Sequence, residues 1–233
     1  MEKTYLFFDV ECANCFGGIG KICSFGYVLA DSNLNVIESN DIVMNPECEF
    51  DWYLFAHKDD IKLSYPQSYF RSQPAFPSFY EQIRDLIRVE SRTVIAFSAL
   101  NDVGFVETAC ERYKLPLINF SAYDSEKFVK SDEEIFGSLE KRCAILGVDN
   151  SDLQAHKSSD DAVMTMRLVQ AYCKKINLSI DELLKINRQY CYSTAQFLKR
   201  REERVIKKAK RAQRYGKDIG RSRKNDSRTI RFD

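Results

Sequence analysis

No stretch of the chain approaches the ~18–20 consecutive apolar residues of a membrane-spanning helix, so no part of it is expected to cross a bilayer. The start, MEKTYLFFDVEC, carries an acid at position 2 and an apolar run too short for a secretory signal. The eight cysteines, at 12, 15, 23, 48, 110, 143, 173 and 191, are therefore expected as reduced thiols in a cytoplasmic protein, not as a disulfide framework. Cys12-x-x-Cys15 lacks a second pair at matching distance, which argues against a zinc knuckle; Cys23 and Cys48 are the residues that would complete one. FGGIGK lacks the spacing of a phosphate loop, and Ile22 follows its lysine where Ser or Thr is needed. No internal repeat is present. Histidine is scarce: only His57 and His156.

What is present suits a globular body. Of 233 residues, 44% are hydrophobic and 12% aromatic, enough to bury a core. The net charge of +1 conceals an asymmetry. Residues 199–233 hold 15 basic and 5 acidic residues against 20 and 29 in residues 1–198, or about +10 and −9.

Residues 4–10 read as a first strand, and 21–30 and 34–44 as a hairpin turning at Asp31-Ser32-Asn33. Residues 47–74 read as an irregular connection. Helical spacing appears over 78–89, 101–113, 132–146 and 158–175, with strands at 92–97 and 117–123 between them. From Ser179, whose spacing to Glu182 suits a capping box, one long helix is expected to run to Gly216, with a disordered end beyond it. The fold class is α/β: a five-stranded mixed sheet flanked by helices, with a basic helical extension. The expected division is 1–177 for the globular domain and 178–233 for the extension.

Four acids and a histidine stand out. Asp9 and Glu11, in FFDVEC, are two apart on a strand and share a face. Asp102 falls where the strand RTVIAF hands over to a helix; if that strand and the first are parallel neighbours, their C-terminal ends converge, where open α/β sheets bind ligands. Asn101 or Asp102 capping that helix is the plain alternative. In AHKSSDDA, at ~100° per residue, Leu168 and Tyr172 fall ~20° from Asp161 and Met164 ~60°. Asp160 lies ~100° away, beside Arg167. Asp161 is thus the inward acid, Ser158 or Ser159 the N-cap, and His156 a loop residue able to lie over Asp161. Acids converging at strand ends can hold two divalent cations. All-oxygen ligands and scarce histidine favour Mg2+ or Mn2+ over zinc, and a neutral imidazole suits the proton of an attacking water.

In order along residues 4–175, FFDVECAN, ICSFGYVL, Asp102 and the H-x4-D of AHKSSDDA resemble the DEDDh 3′–5′ exonuclease family of the DNA polymerase III epsilon type, within the ribonuclease H-like fold. The resemblance implies Asp9, Glu11, Asp102 and Asp161 as metal ligands, His156 as general base, and backbone contact of Val10 with the terminal nucleotide. Three places depart from the family. Phe97-Ser98 and Asn101 replace a usual His-Asn and a Phe before the second aspartate. Cys12-Ala13 replaces a common Thr-Thr, and Ser158 a usual alanine.

The implied activity is hydrolysis of phosphodiester bonds at 3′ ends of single-stranded DNA or RNA, releasing nucleoside monophosphates. An exoribonuclease trimming 3′ ends, or a non-catalytic adaptor for nucleic acid or a polymerase, are the alternatives. In the extension, Lys199, Arg200, Arg201, Lys207, Lys208, Lys210, Arg211 and Arg214 suit phosphate contact without base readout. His57 reads as a surface loop residue.

Overall fold

The computed structural model describes residues 2–16, 19–55, 63–129, 134–203 and 206–207. Leu6, Phe7 and Phe8 make β1 (Thr4–Cys12) apolar on both faces, and all three are fully buried. A strand with no face for water must lie inside a sheet. Accordingly β2 (Ile22–Ala30) pairs with β1 antiparallel on one side, and β4 (Arg92–Ala96) pairs with it parallel on the other. β3 (Val36–Val43) completes the expected hairpin with β2. Its turn is set by Asp31 Oδ1, which accepts the N–H groups of Asn33 (2.8 Å) and Asn35 (2.9 Å).

The sheet order is β3-β2-β1-β4-β5-β6. β5 (Ser121–Asp124) runs parallel to β4, and β6 (Cys191–Ser193) antiparallel to β5. The sheet is mixed as expected, but it has six strands, not five. The sixth comes from a segment expected to be helical. α7 (Ile180–Ile186) starts with the expected Ser179–Glu182 capping box, then stops at Asn187, whose side-chain amide donates to Leu183 O at 2.9 Å. Cys191, Tyr192, Ser193 and Thr194 follow, all modest helix formers, and they cover the open edge of β5. The Thr194 hydroxyl locks the join, donating to the carbonyls of Ile118 and Phe120. Ile186, the last residue of α7, is 60% exposed.

α1 (Gln67–Ser72) and a 3-10 turn, Trp52–Phe55, lie in the stretch expected to be irregular. α2 (Tyr80–Ile87) and α3 (Ala99–Arg112) stand where helical spacing places them. α4 (Ser125–Val129) follows β5 directly and has no counterpart in the sequence reading. α5 (Leu139–Ile145) begins later than position 132 because Gly137 holds φ +98° and Ser138 caps it; Gly147, at φ +67°, follows its end. Residues 130–133 lie outside the described residues. α6 (Ser158–Ile176) lies across β1 and β2, and its buried face packs into the main core with Tyr5, Phe7, Val28 and Ile95.

Gly26 sets how close α6 comes. A Cβ there would sit 1.9 Å from the Ser158 carbonyl carbon and the Ser159 nitrogen. Both are backbone, so the helix start would have to move. Gly26→Ala is expected to cost ~1–3 kcal/mol or more and to displace Asp161; thermal melts would check it.

Residues Met1–Thr194 form one compact unit and Ala195–Asp233 a second. Within the second, residues 195–203 and 206–207 are helical. Gly216 and the end expected to be disordered lie outside the described residues, as do Gly17 and Gly18 of FGGIGK, and His57. Among the described residues no helix is long and apolar enough to cross a membrane.

Candidate active site

Asp9 pairs across the β1–β2 ladder with Gly26, and Glu11 with Ser24. Directly paired residues share a sheet face, and the face of Gly26 is the one α6 covers. Asp9 and Glu11 therefore point toward the helix that carries Asp161. On the other side β4 ends at Ala96, opposite Phe8. Beyond that end the Val10 N–H goes to the carboxylate of Asp102, in the first turn of α3. Asp102 does not cap α3, whose N-cap is Ser98 at φ +60°. Val10 itself is buried.

The two aspartates of AHKSSDDA divide their work. Asp160 accepts the Gln154 N–H at 2.9 Å and pairs with Lys157 at 3.0 Å. Arg167, expected beside it, forks instead onto Asp152 at 2.7 and 2.8 Å, because seven residues of helix put it ~10 Å farther along the axis. Asp161 Oδ2 accepts the His156 N–H at 3.1 Å, while Oδ1 is buried with no hydrogen-bond partner. Neither Ser158 nor Ser159 caps α6. Its N-cap is Lys157, and the Ser158 hydroxyl donates instead to Asp41 Oδ1 at 2.7 Å.

His156 sits at φ +60°, a backbone conformation costing a non-glycine residue ~1–3 kcal/mol. Its Nδ1 lies 3.7 Å from Glu11 Oε1. Donor atoms of Glu11, His156 and Asp161 all fall within 4.8 Å of one another, the one such group among the described residues. Asp9 and Asp102 stand outside that tightest group but share its field. Burial, then Asp102, Glu11 and Asp161, hold the Asp9 acid well above the usual carboxylate range. Burial and Glu11 do the same for Asp102. Asp161, 8% exposed, is pushed up to about 7 by burial and Glu11, against the opposing pull of His156. The Glu11 carboxylate raises the pKa of His156, with burial opposing.

This arrangement fits divalent cations. An orphaned buried carboxylate oxygen and acids that repel one another's charge are what a bound cation relieves, and an oxygen-rich donor set suits Mg2+ or Mn2+. Cys12, Cys15, Cys23 and Cys48 form no comparable ligand group among the described residues.

Solved structures share this architecture. The nuclease domain of 3'hExo, a DEDDh family member bound to rAMP, superposes with a TM-score of 0.61 at 15% identity, covering 75% of this chain and 93% of that one. The fold is ribonuclease H-like. A 3'-exonuclease described in histone mRNA stem-loop recognition matches this ribonuclease H-like chain with a TM-score of 0.61 at 15% identity, over 75% of this chain. E. coli exonuclease I in complex with a dT13 oligonucleotide gives 0.59 at 16%, over 76% of it. The chain spans 64% of the histone mRNA enzyme and 43% of exonuclease I. No family model and no curated sequence matches it.

The sequence reading missed several residues around the site. Asp41, in the middle of β3, and Ser24 on β2 face the start of α6, and Ser64 reaches the His156 loop. None carries a local signal, since each acts through a partner 17 to 117 positions away. Ser158 stands out in the sequence as an N-cap candidate and as a departure from the family pattern, neither of which points to Asp41.

Proposed function

We propose that the chain is a divalent-metal-dependent 3′–5′ exonuclease that releases nucleoside monophosphates from single-stranded DNA or RNA 3′ ends. The observation that carries this reading is the buried, unpartnered Asp161 oxygen beside Glu11 and His156, at the strand ends of a ribonuclease H-like sheet. Asp9, Glu11, Asp102 and Asp161 would hold two Mg2+ or Mn2+ ions. Bound divalent ions supply Lewis-acid polarisation of the phosphodiester and a lowered pKa for the attacking water. The chain's own residues do the rest. Glu11 stands at Nδ1 of His156, which leaves Nε2 to receive the proton of that water. Asp161 keeps the His156 backbone in place while offering its second oxygen to the site.

Solved structures of the same fold include proteins described with rAMP and with dT13, so both sugars belong in the test. The polymerase III epsilon-type subfamily, and a polymerase or other nucleic-acid machinery as partner, are part of this proposal. The discriminating experiment is digestion of matched DNA and RNA strands, labelled at the 3′ or 5′ end, with Mn2+ and with chelator. Label released first from the 3′ end, in metal only, supports the reading. An uncut strand of both kinds favours the adaptor.

The basic extension is proposed to grip phosphates. Lys199, Arg200 and Lys207 are exposed and Arg201 half-buried on its helical residues; Lys208, Lys210, Arg211 and Arg214 lie outside the described residues. Removing residues 199–233 is expected to weaken strand binding more than hydrolysis of a short model ester. It should also flatten the dependence of log K on log salt, by about 0.7 per lost single-strand phosphate contact. Binding titrations at several salt concentrations check this, and equal slopes would count against the grip.

A further inference from the structure

His156 is held from outside its own loop. Its carbonyl accepts the Ser64 hydroxyl at 2.8 Å, across 92 positions of sequence. Ser64 is itself well anchored. On one side, Leu63 is buried among Ala13, Cys23, Val43, Phe50, Leu54 and Phe70, and its N–H bonds Leu54 O at 3.1 Å. On the other, the Tyr65 ring stacks on Tyr69 at 5.1 Å and meets Phe70 edge-on at 5.8 Å. The Tyr65 hydroxyl lies against Asp41; burial, then that carboxylate, raise the phenol's pKa.

Asp41 ties this strap to the helix. The hydroxyls of Ser24 and Ser158 contact each other and converge on Asp41 Oδ1. Both serines are buried, and Ser158 is the first residue of α6. Asp161 stands three residues later, with the His156 N–H on its Oδ2. Residues 63–65, β3 and the start of α6 are therefore joined through polar side chains to the backbone on both sides of the imidazole. The serine at 158, where the resembling family has alanine, acquires a reason: it supplies the hydroxyl that Asp41 holds.

We propose that Ser64 is a positioning residue, that Asp41 of β3 anchors the start of α6 through Ser158, and that the two fix the His156 imidazole over Glu11 and Asp161. The catalytic consequence rests on the nuclease reading; the positioning itself does not. The full chain is compared with Ser64→Ala, Ser64→Thr and Asp41→Asn by two readouts. Steady-state kinetics should show kcat falling roughly ten- to a hundred-fold in Ser64→Ala with KM unchanged, as small misplacements of a reacting group do. Ser64→Thr, which keeps the hydroxyl, should restore most of it. Proton NMR gives the second readout, since only two histidines contribute ring signals. The His156 ring signal should be a single narrow line in the parent, broadened or split in Ser64→Ala and Asp41→Asn, with His57 unchanged. If the parent cuts no strand, the nuclease reading fails and the ring signal alone decides the positioning. If Ser64→Ala unfolds, Asp41→Asn carries the same two readouts. An unaltered His156 signal with unaltered kcat overturns the proposal. So does a kcat loss that Ser64→Thr fails to rescue and that only tracks a lowered melting temperature.

Discussion

Asp161→Asn is expected to abolish cleavage and, at pH 8 without metal, to melt at a higher temperature than the parent. The two effects share one cause. The Asp161 carboxyl is pushed up to about 7 by burial and by Glu11, against ~3.9 in an unfolded chain. A raised folded-state pKa means that the fold prefers the protonated acid. The stability this contributes is complete below ~3.9 and is lost as pH rises through about 7. Asp9 and Asp102 are shifted the same way, so they add to the loss. The metal-free parent should therefore lose on the order of a few kcal/mol between pH 4 and 8, and saturating Mg2+ or Mn2+ should restore it. In Asp161→Asn the amide oxygen can still accept the His156 N–H while the charge is gone, so its pH profile should be flatter. Calorimetric melts at pH 5 and 8, with and without metal, check this. A variant that melts lower than the parent at pH 8 in chelator would show that the acid serves the fold and not a cation.

His156→Ala carries the second large effect. A positioned base contributes ~10²–10⁴-fold, and the loss should appear in kcat, with KM nearly unchanged. The His156 side chain is 34% exposed, so the variant should fold. Single-turnover cleavage rates across pH 5–9 provide the measurement. The parent's ascending limb, set by deprotonation of a histidine whose pKa Glu11 raises, should vanish in the variant. A variant retaining that limb would mean that some other group takes the proton.

Much of this was readable from local pattern. β1 announces itself through Leu6-Phe7-Phe8, apolar on both faces, and the two-residue spacing fixes Asp9 and Glu11 on one side. Helical angle alone separates Asp161 from Asp160. The parallel pairing of β1 with β4, which brings the Asp102 turn near the Asp9 strand, follows from ordinary α/β topology. What escaped depends on contacts remote in sequence. β6 forms because β5 has an edge to cover, and a Cys-Tyr-Ser triplet does not advertise that. The helical spacing over 132–146 exceeds α5 because Gly137 and Ser138, interior to that pattern, are the helix boundary. Asp41 and Ser64 look like ordinary loop and strand-surface residues until α6 is laid over the sheet. Helical angle places Arg167 beside Asp160, but the axial distance between them leaves Arg167 to Asp152.

Titrating Mn2+ into the metal-free protein in a calorimeter tests the central claim most directly. The account predicts two ions bound per chain with proton release at pH 6–7, as raised carboxyl groups give up their protons, and weakened binding in Asp161→Asn. Absence of binding, or identical isotherms for parent and variant, would contradict it.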